Sequence, residues 1–382
     1  MSIRVLQVLD KISDDSGVSS VVMNYYSVLN HDEITFDFML NEDVDQATRT
    51  YIESNGSVIY IMPRLRFANL IKYISALKQF YRNKEYQIIH GHVANSAVFY
   101  LGLARKKVPH RIIHSHSTKG ADVWWKRIRN WLLTRFVSNV ANKYVACSTE
   151  AARFLFGKRN DAVVLNNAIC VDKYLFDSEK RERIRRELAL WDSLVIGHVG
   201  RFIPLKNHEF LLDVFYEIHK KEQSTALLLI GNGELFNKME EKAKKLGLYD
   251  AVVFLGVRDN VGEYMNAMDV FVLPSRFEGL GIVGVEAQAS GLRVFVSENV
   301  PRVMDFTGSV EYLKLDKELW VNRLLKGYKD LERSEQGKKA IGSQFDIKTQ
   351  AERLSVYYMS MFETLDADRE NRATGAVKMP HC

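Results

Sequence analysis

A chain of 382 residues exceeds what one hydrophobic core usually serves, so two domains are expected. A hydrophobic fraction of 47% is that of a folded globular protein, and 22 glycines with 6 prolines exclude a fibrous or low-complexity chain. The net charge of +6 is modest and locally placed, without a nucleic-acid-binding motif, and Cys147, Cys170 and Cys382 lack paired spacing, which excludes a disulfide framework and a zinc site and implies a reducing compartment.

The chain opens on an apolar run, Ile3 to Leu9, too short for a signal peptide, which reads as a first strand over 4–9. Further strands are expected at 35–40, 57–62, 87–90, 111–114, 143–147 and 162–165, with helices between them, for example 18–30 and 69–81. A second series follows at 194–199, 226–230, 252–255, 270–273 and 293–296. Short β-rich runs alternating with helical patterns are the signature of parallel α/β domains. Between the series, Asn166-Asn167 and the charge shift at 177–187 mark an interdomain crossing. The expected domains are 1–172 and 173–347, followed by a last helix at 348–366 and a frayed polar tail at 367–382. No stretch reaches the ~20 apolar residues that span a bilayer, so a cytosolic protein is expected.

Several first-half residues have chemical potential. Asp14-Asp15-Ser16-Gly17 follows the first strand. His90-Gly91-His92 and His114-Ser115-His116 stand at strand C-terminal ends, the edge where α/β proteins bind ligands. Asp43-Val44-Asp45 has the Asp-x-Asp form of a cation site but lies in a polar loop without glycines or cations beside it, so a solvated loop is expected there and no metal. Residues 124–136 open on Trp124 and close on Phe136, with Lys126, Arg127, Arg129 and Arg135 among indoles. Two readings stay open: an amphipathic helix in a membrane interface, or a helix packed on its own domain with a cationic edge.

The second half carries the most informative stretch. The strand at 270–273 closes with Pro274-Ser275, and a helix follows from Val283. Gly279, Leu280 and Gly281 therefore lie on a strand-to-helix turn, where free backbone N–H groups make an anion site that glycines open to a phosphate. Glu278 and Glu286 flank that turn with seven residues between them. The cations that would offset the charge stand in Gly200-Arg201-Phe202-Ile203-Pro204-Leu205-Lys206-Asn207, again directly after an apolar strand. Gly231-Asn232-Gly233 and Gly256-Val257 end two further strands.

This ordered set resembles the retaining, nucleotide-sugar-dependent glycosyltransferases of family 4. The resemblance implies the GT-B fold: α/β, two facing Rossmann-like domains, with a C-terminal helix returning to the first. It also implies that Arg201 and Lys206 stabilise the leaving diphosphate, that Glu286 accepts from the ribose and that Glu278 contacts the donor sugar. Backbone at Gly17, Gly200, Gly231, Val257, Leu280, Gly281 and Ile282 would serve the donor. Family members place a histidine near the reacting sugar; His116 is favoured over His114, with His92 as a further candidate. Where the family has Gly-Gly before the first helix, this chain has Ser16-Gly17.

No cofactor is implied beyond the nucleotide-sugar donor, most simply a UDP-sugar, with a glycan or lipid-linked acceptor at the inner membrane face. The segment 297–303 lacks the family's Gly-Gly-x-Pro-Glu pattern, which points to the branch building bacterial capsular and exopolysaccharides. A sugar-nucleotide 2-epimerase on the same fold, or a non-catalytic partner of an assembly complex, are the rival readings.

Overall fold

The computed structural model describes residues 2–13, 16–116, 134–159, 161–326 and 332–373, with side chains to 365. The chain divides into two compact units, one of Met1–Asn167 with Ile347–Cys382 and the other of Ala168–Asp346.

The first unit is built on a seven-stranded sheet: β1 (Ile3–Val8), β2 (Ile34–Leu40), β3 (Ile59–Ile61), β4 (Ile88–Gly91), β5 (His110–Ser115), β6 (Lys143–Ala146) and β7 (Val163–Val164). All pairings are parallel, in the order β3-β2-β1-β4-β5-β6-β7. Runs such as Ile34-Thr-Phe-Asp-Phe-Met-Leu40 form strands because helices cover both faces and every position is buried. The order reverses between β1 and β4, so the segments leaving these two strands diverge and open a crevice at their C-terminal ends. The last helix, Ile347–Ala373, packs on the helix Gly17–Val28 and sends the fully buried Tyr358 toward β1 and β4. It therefore belongs to the first unit.

The second unit repeats the plan with six strands: β8 (Leu194–Val199), β9 (Thr225–Ile230), β10 (Val252–Gly256), β11 (Val270–Leu273), β12 (Arg293–Ser297) and β13 (Val310–Leu313). Their order is β10-β9-β8-β11-β12-β13, again parallel, with the reversal between β8 and β11. Phe215, Phe271, Phe295 and Trp320 are fully buried in this unit, and each such side chain contributes about 1.5–3 kcal/mol of hydrophobic burial.

Three details differ from expectation. The crossing falls after Asn167 rather than at 172, because Ile169 already pairs with Asp346 and donates its N–H to Phe345 O at 2.9 Å. The final helix continues to Ala373 instead of stopping at 366, since no Gly or Pro interrupts it. Strand β13, a four-residue piece that includes the charged Glu311, was not expected.

Candidate active site

In the second unit, three strand-end loops are laced together at the β8/β11 switch point. After β8, Gly200 N–H donates to Ile230 O at 2.9 Å and Phe202 N–H to Asn232 O at 3.0 Å, which ties residues 200–202 to the loop after β9. Gly231, at φ +130°, packs so tightly there that a Cβ would lie 2.2 Å from Gly200 O. The chain then makes a 3-10 turn, Pro204–Lys206, and enters the helix His208–Lys221 through Asn207 in the left-handed region at φ 61°. That conformation aims the Asn207 amide at Pro274 O, 3.1 Å away, and Arg276 N–H donates to Leu205 O at 2.8 Å. The β8 and β11 loops are thus one rigid piece.

On this frame Lys206 Nζ meets Glu278 Oε1 at 2.7 Å, and the Ser275 hydroxyl donates to the same oxygen at 2.6 Å. Both charged side chains are largely buried, at 17% and 11% exposure, so the pair is little screened by solvent. Gly281 caps the following helix, Ile282–Ala289, from the left-handed region at φ 81°. Gly284 N–H bonds Gly281 O at 2.8 Å, and the amides before it form the open first turn. Gly284 also lets Met304 pack directly on the helix backbone.

Glu286, one turn further along, lies in a poorly solvated position that pushes its carboxyl up to about 7, while the Tyr174 hydroxyl and Lys206 act in the opposite direction. Arg201 is exposed and has no ion-pair partner among the described residues. Val257 is 64% exposed and follows Gly256, whose carbonyl accepts from Gly231 N–H at 2.8 Å. Lys206, Glu278, Gly200, Gly231 and the 280–282 turn are therefore gathered at one sheet edge, with Val257 on the neighbouring strand end.

Ser275 stood out in the sequence only as the end of a strand, and Tyr174, His198 and His208 were not among the candidates. His198 lies beneath the β8 loop with Nδ1 at 2.8 Å from Val272 O, and His208 stacks on Phe202 at 3.9 Å between centroids. Burial holds both neutral, His208 at about 4 and His198 well below the usual imidazole range. Tyr174 carried no signal in the sequence; only the fold brings it to Glu286.

In the first unit, the ends of β4 and β5 hold four imidazoles as two facing stacks. His90 Nε2 faces His114 Nδ1 at 3.2 Å, and His92 Nδ1 faces His116 Nε2 at 2.8 Å. Tyr358 OH lies 2.6 Å from His90 Nδ1, and Gln7 Oε1 lies 2.9 Å from His92 Nε2. Burial lowers all four, His90 to about 3 and His116 to about 4. His114 is buried at 2% exposure inside the strand, whereas His116 stands just beyond its end. His90, His92 and His114 have nitrogens close enough to one another to share a metal ion, a grouping that spacing alone did not suggest. The hydrogen bonds to Tyr358 and Gln7 already employ two of these rings.

Gly17 opens the helix Gly17–Val28 behind Ser16, whose hydroxyl accepts from Ser19 N–H at 3.3 Å. A Cβ on Gly17 would meet nothing within 4 Å, so the backbone at this helix terminus is open. Asp14 and Asp15 lie outside the described residues, as does most of the 124–136 segment. Asp45 caps the helix Gln46–Ser54 by accepting from Thr48 N–H at 2.9 Å, and Asp43 pairs with Arg49.

Comparison with known proteins gives this geometry a context. Residues 180–332 match the family described as Glycosyl transferases group 1, and residues 16–173 match Glycosyltransferase Family 4. The chain is 33% identical to EpsF of Bacillus subtilis, which bears a glycosyltransferase name, over 79% of this chain and 81% of that protein. It is 26% identical to the capsular polysaccharide biosynthesis glycosyltransferase CapH of Staphylococcus aureus, over 81% and 86% of the two chains. A galactosyltransferase of Escherichia coli, named for transfer from UDP-Gal to GlcNAc-diphosphoundecaprenol, is 24% identical over 74% and 76%. Among solved structures, HepE of Anabaena with bound UDP superposes with a TM-score of 0.77 at 17% identity, covering 94% of this chain and all of that one. The same protein is also known with UDP-glucose. With two parallel sheets, the strand-end Lys206–Glu278 pair and both family matches in order, the chain belongs to the family 4, group 1 glycosyltransferases and has their GT-B fold.

Proposed function

We propose that the protein transfers a sugar, with retention, from a UDP-sugar to a glycan or lipid-linked acceptor in capsular or exopolysaccharide synthesis. The observation that carries this reading is the Lys206–Glu278 pair fixed at the β8/β11 switch beside the open helix turn at 280–282. A diphosphate seated there meets backbone N–H groups and a cation held by laced loops rather than by a flexible surface. Lys206 then serves two anions, Glu278 and the phosphate, and Arg201 is free to swing onto the outer phosphate oxygens. The names of relatives agree: UDP and UDP-glucose are bound by HepE, and a diphosphoundecaprenol-linked acceptor is used by the Escherichia coli enzyme.

In the proposed reaction the bond from the anomeric carbon to the diphosphate oxygen breaks, and the acceptor oxygen bonds to that carbon from the same face. The acceptor proton passes to the departing phosphate oxygen, so no protein nucleophile is required. Charge building on the diphosphate is met by Lys206, Arg201 and the turn amides, which makes a divalent ion dispensable. Glu286, with Tyr174 behind it, receives the ribose hydroxyls, and Glu278 orients the donor sugar. The protein would meet its lipid-linked acceptor as a peripheral protein; no described helix is long and apolar enough to cross a membrane.

The test is to incubate the protein with a panel of UDP-sugars and a membrane extract as acceptor and to read the new linkage by NMR. Retained anomeric configuration supports the proposal. An inverted product refutes retention, and appearance of the 2-epimer of the sugar without any acceptor would favour the epimerase reading.

A further inference from the structure

The first unit displays apolar side chains that its own fold does not use. Phe67 is 100% exposed, Ile71 86% and Ile61 46%. Phe67 does not sit on a slack loop. It opens the 3-10 turn Phe67–Asn69, and the Asn69 side chain clamps that turn by accepting from Arg66 N–H and donating to Arg64 O, each at 2.8 Å. The helix Leu70–Asn83 follows, burying Tyr73, Leu77, Phe80 and Tyr81 against the sheet. Its opposite stripe, continued from the turn at helical spacing, is Phe67, Ile71, Ser75, Lys78 and Arg82, all exposed. A concavity of about 750 Å³ lies between Pro63, Phe67 and the first turns of the helix.

The charge around this stripe has one sign. From residue 54 to residue 84 the chain has six Lys and Arg and no Asp or Glu. Arg64 is engaged with Asp10 and Glu42. Arg66, Lys72, Lys78 and Arg82 are exposed and have no ion-pair partner among the described residues. An aromatic fixed outward, an apolar neighbour one turn on, and unpaired cations with no acid between them match one kind of occupant. A surface with an apolar interior and anionic headgroups takes the side chains and the cations at once.

We propose that the face formed by the Phe67 turn and the helix Leu70–Asn83 docks the protein on an anionic lipid surface, with Phe67 and Ile71 inserted and Lys72, Lys78 and Arg82 on headgroups. The inference rests on the reading of a lipid-linked acceptor. It assigns the contact to this helix in addition to, or in place of, the segment 124–136.

The experiment is co-sedimentation of the full chain with vesicles of phosphatidylcholine alone and of phosphatidylcholine with phosphatidylglycerol, over a salt series. The expected result is binding to the anionic vesicles only, weakening as salt rises. Phe67→Ala with Ile71→Ala should weaken it by tenfold or more, and each of Lys72→Gln and Lys78→Gln by on the order of fivefold. UDP release from the soluble donor should be unchanged in these variants. Wild-type binding by the double apolar variant overturns the proposal. So does loss of a dimer in that variant with vesicle binding intact, which would make the face a contact between two copies. If Lys126→Gln, Arg127→Gln and Arg129→Gln together abolish binding while the helix variants do not, the dock lies elsewhere and the lipid-acceptor reading stands. Absence of wild-type binding at every salt concentration refutes the membrane contact itself.

Discussion

Glu286 is the residue whose environment makes the sharpest demand. Its carboxyl titrates at about 7, above the usual carboxylate range, because burial disfavours the charge. Below that pH the free protein holds a neutral acid there; above it, a carboxylate, the form that the proposed ribose contact requires. The profile of kcat/KM against pH, which reports the free enzyme, should therefore rise through a limb near pH 7. Glu286→Gln should flatten that limb and lower kcat/KM. Tyr174→Phe removes a hydroxyl that favours the charged form, so it should move the limb to higher pH while leaving the fold intact. A limb that persists in Glu286→Gln would assign it to another group. Glu286 was legible from its spacing to Glu278, but Tyr174 was not. It precedes Glu286 by more than a hundred residues and reaches it only through the packing of the first segment of the second unit.

At the scale of elements, the decisive feature is how little freedom the strand-end loops have. Gly231 occupies φ +130°, and an added methyl would overlap Gly200 O. Gly231→Ala should push the β8 and β9 loops apart, lowering stability by more than about 2 kcal/mol and abolishing UDP binding. Gly279 is the contrast: nothing lies within 4 Å of a methyl placed there. Gly279→Ala should leave the melting temperature unchanged and affect only the donor KM. Thermal melts and UDP titration of the two variants separate these outcomes; equal stability of both would contradict the described lacing. The strands themselves were readable, because fully buried parallel strands appear as continuous apolar runs. β8 and β11 fall where the pattern put them, at Leu194–Val199 and Val270–Leu273. β13 escaped because Val310-Glu-Tyr-Leu313 is an edge strand, covered on fewer sides and mixed in polarity. Strand order, and with it the switch point, lies in long-range pairing that no local pattern encodes.

At the scale of the whole molecule, the buried histidines link stability to pH. His90, His92, His114 and His116 have folded pKa values below the usual 6.5, so between those values the unfolded chain binds protons that the fold refuses. Their contribution is complete above pH 6.5 and is lost as pH falls toward 4 and then 3. Each such group costs about 1.4 kcal/mol per pH unit within its window. The melting temperature should fall steeply below pH 6.5, and His92→Gln with His116→Gln should make the fall shallower. A flat profile would contradict the neutral, hydrogen-bonded cluster. The sequence placed these four residues at two adjacent strand ends, yet their pairing across the gap, with Gln7 and Tyr358 as outer partners, depends on a helix from the far end of the chain.

In the proposed reaction a nucleotide-sugar diphosphate is cleaved at the β8/β11 switch by fixed protein charge. UDP release from a panel of UDP-sugars, measured in excess chelator for the wild type and for Lys206→Ala, tests it most directly. Release from at least one UDP-sugar is expected to be undiminished by chelator and to fall by ~10²-fold or more in Lys206→Ala with the fold intact. Release that stops in chelator and returns with Mg²⁺ or Mn²⁺, or undiminished release by Lys206→Ala, would contradict it.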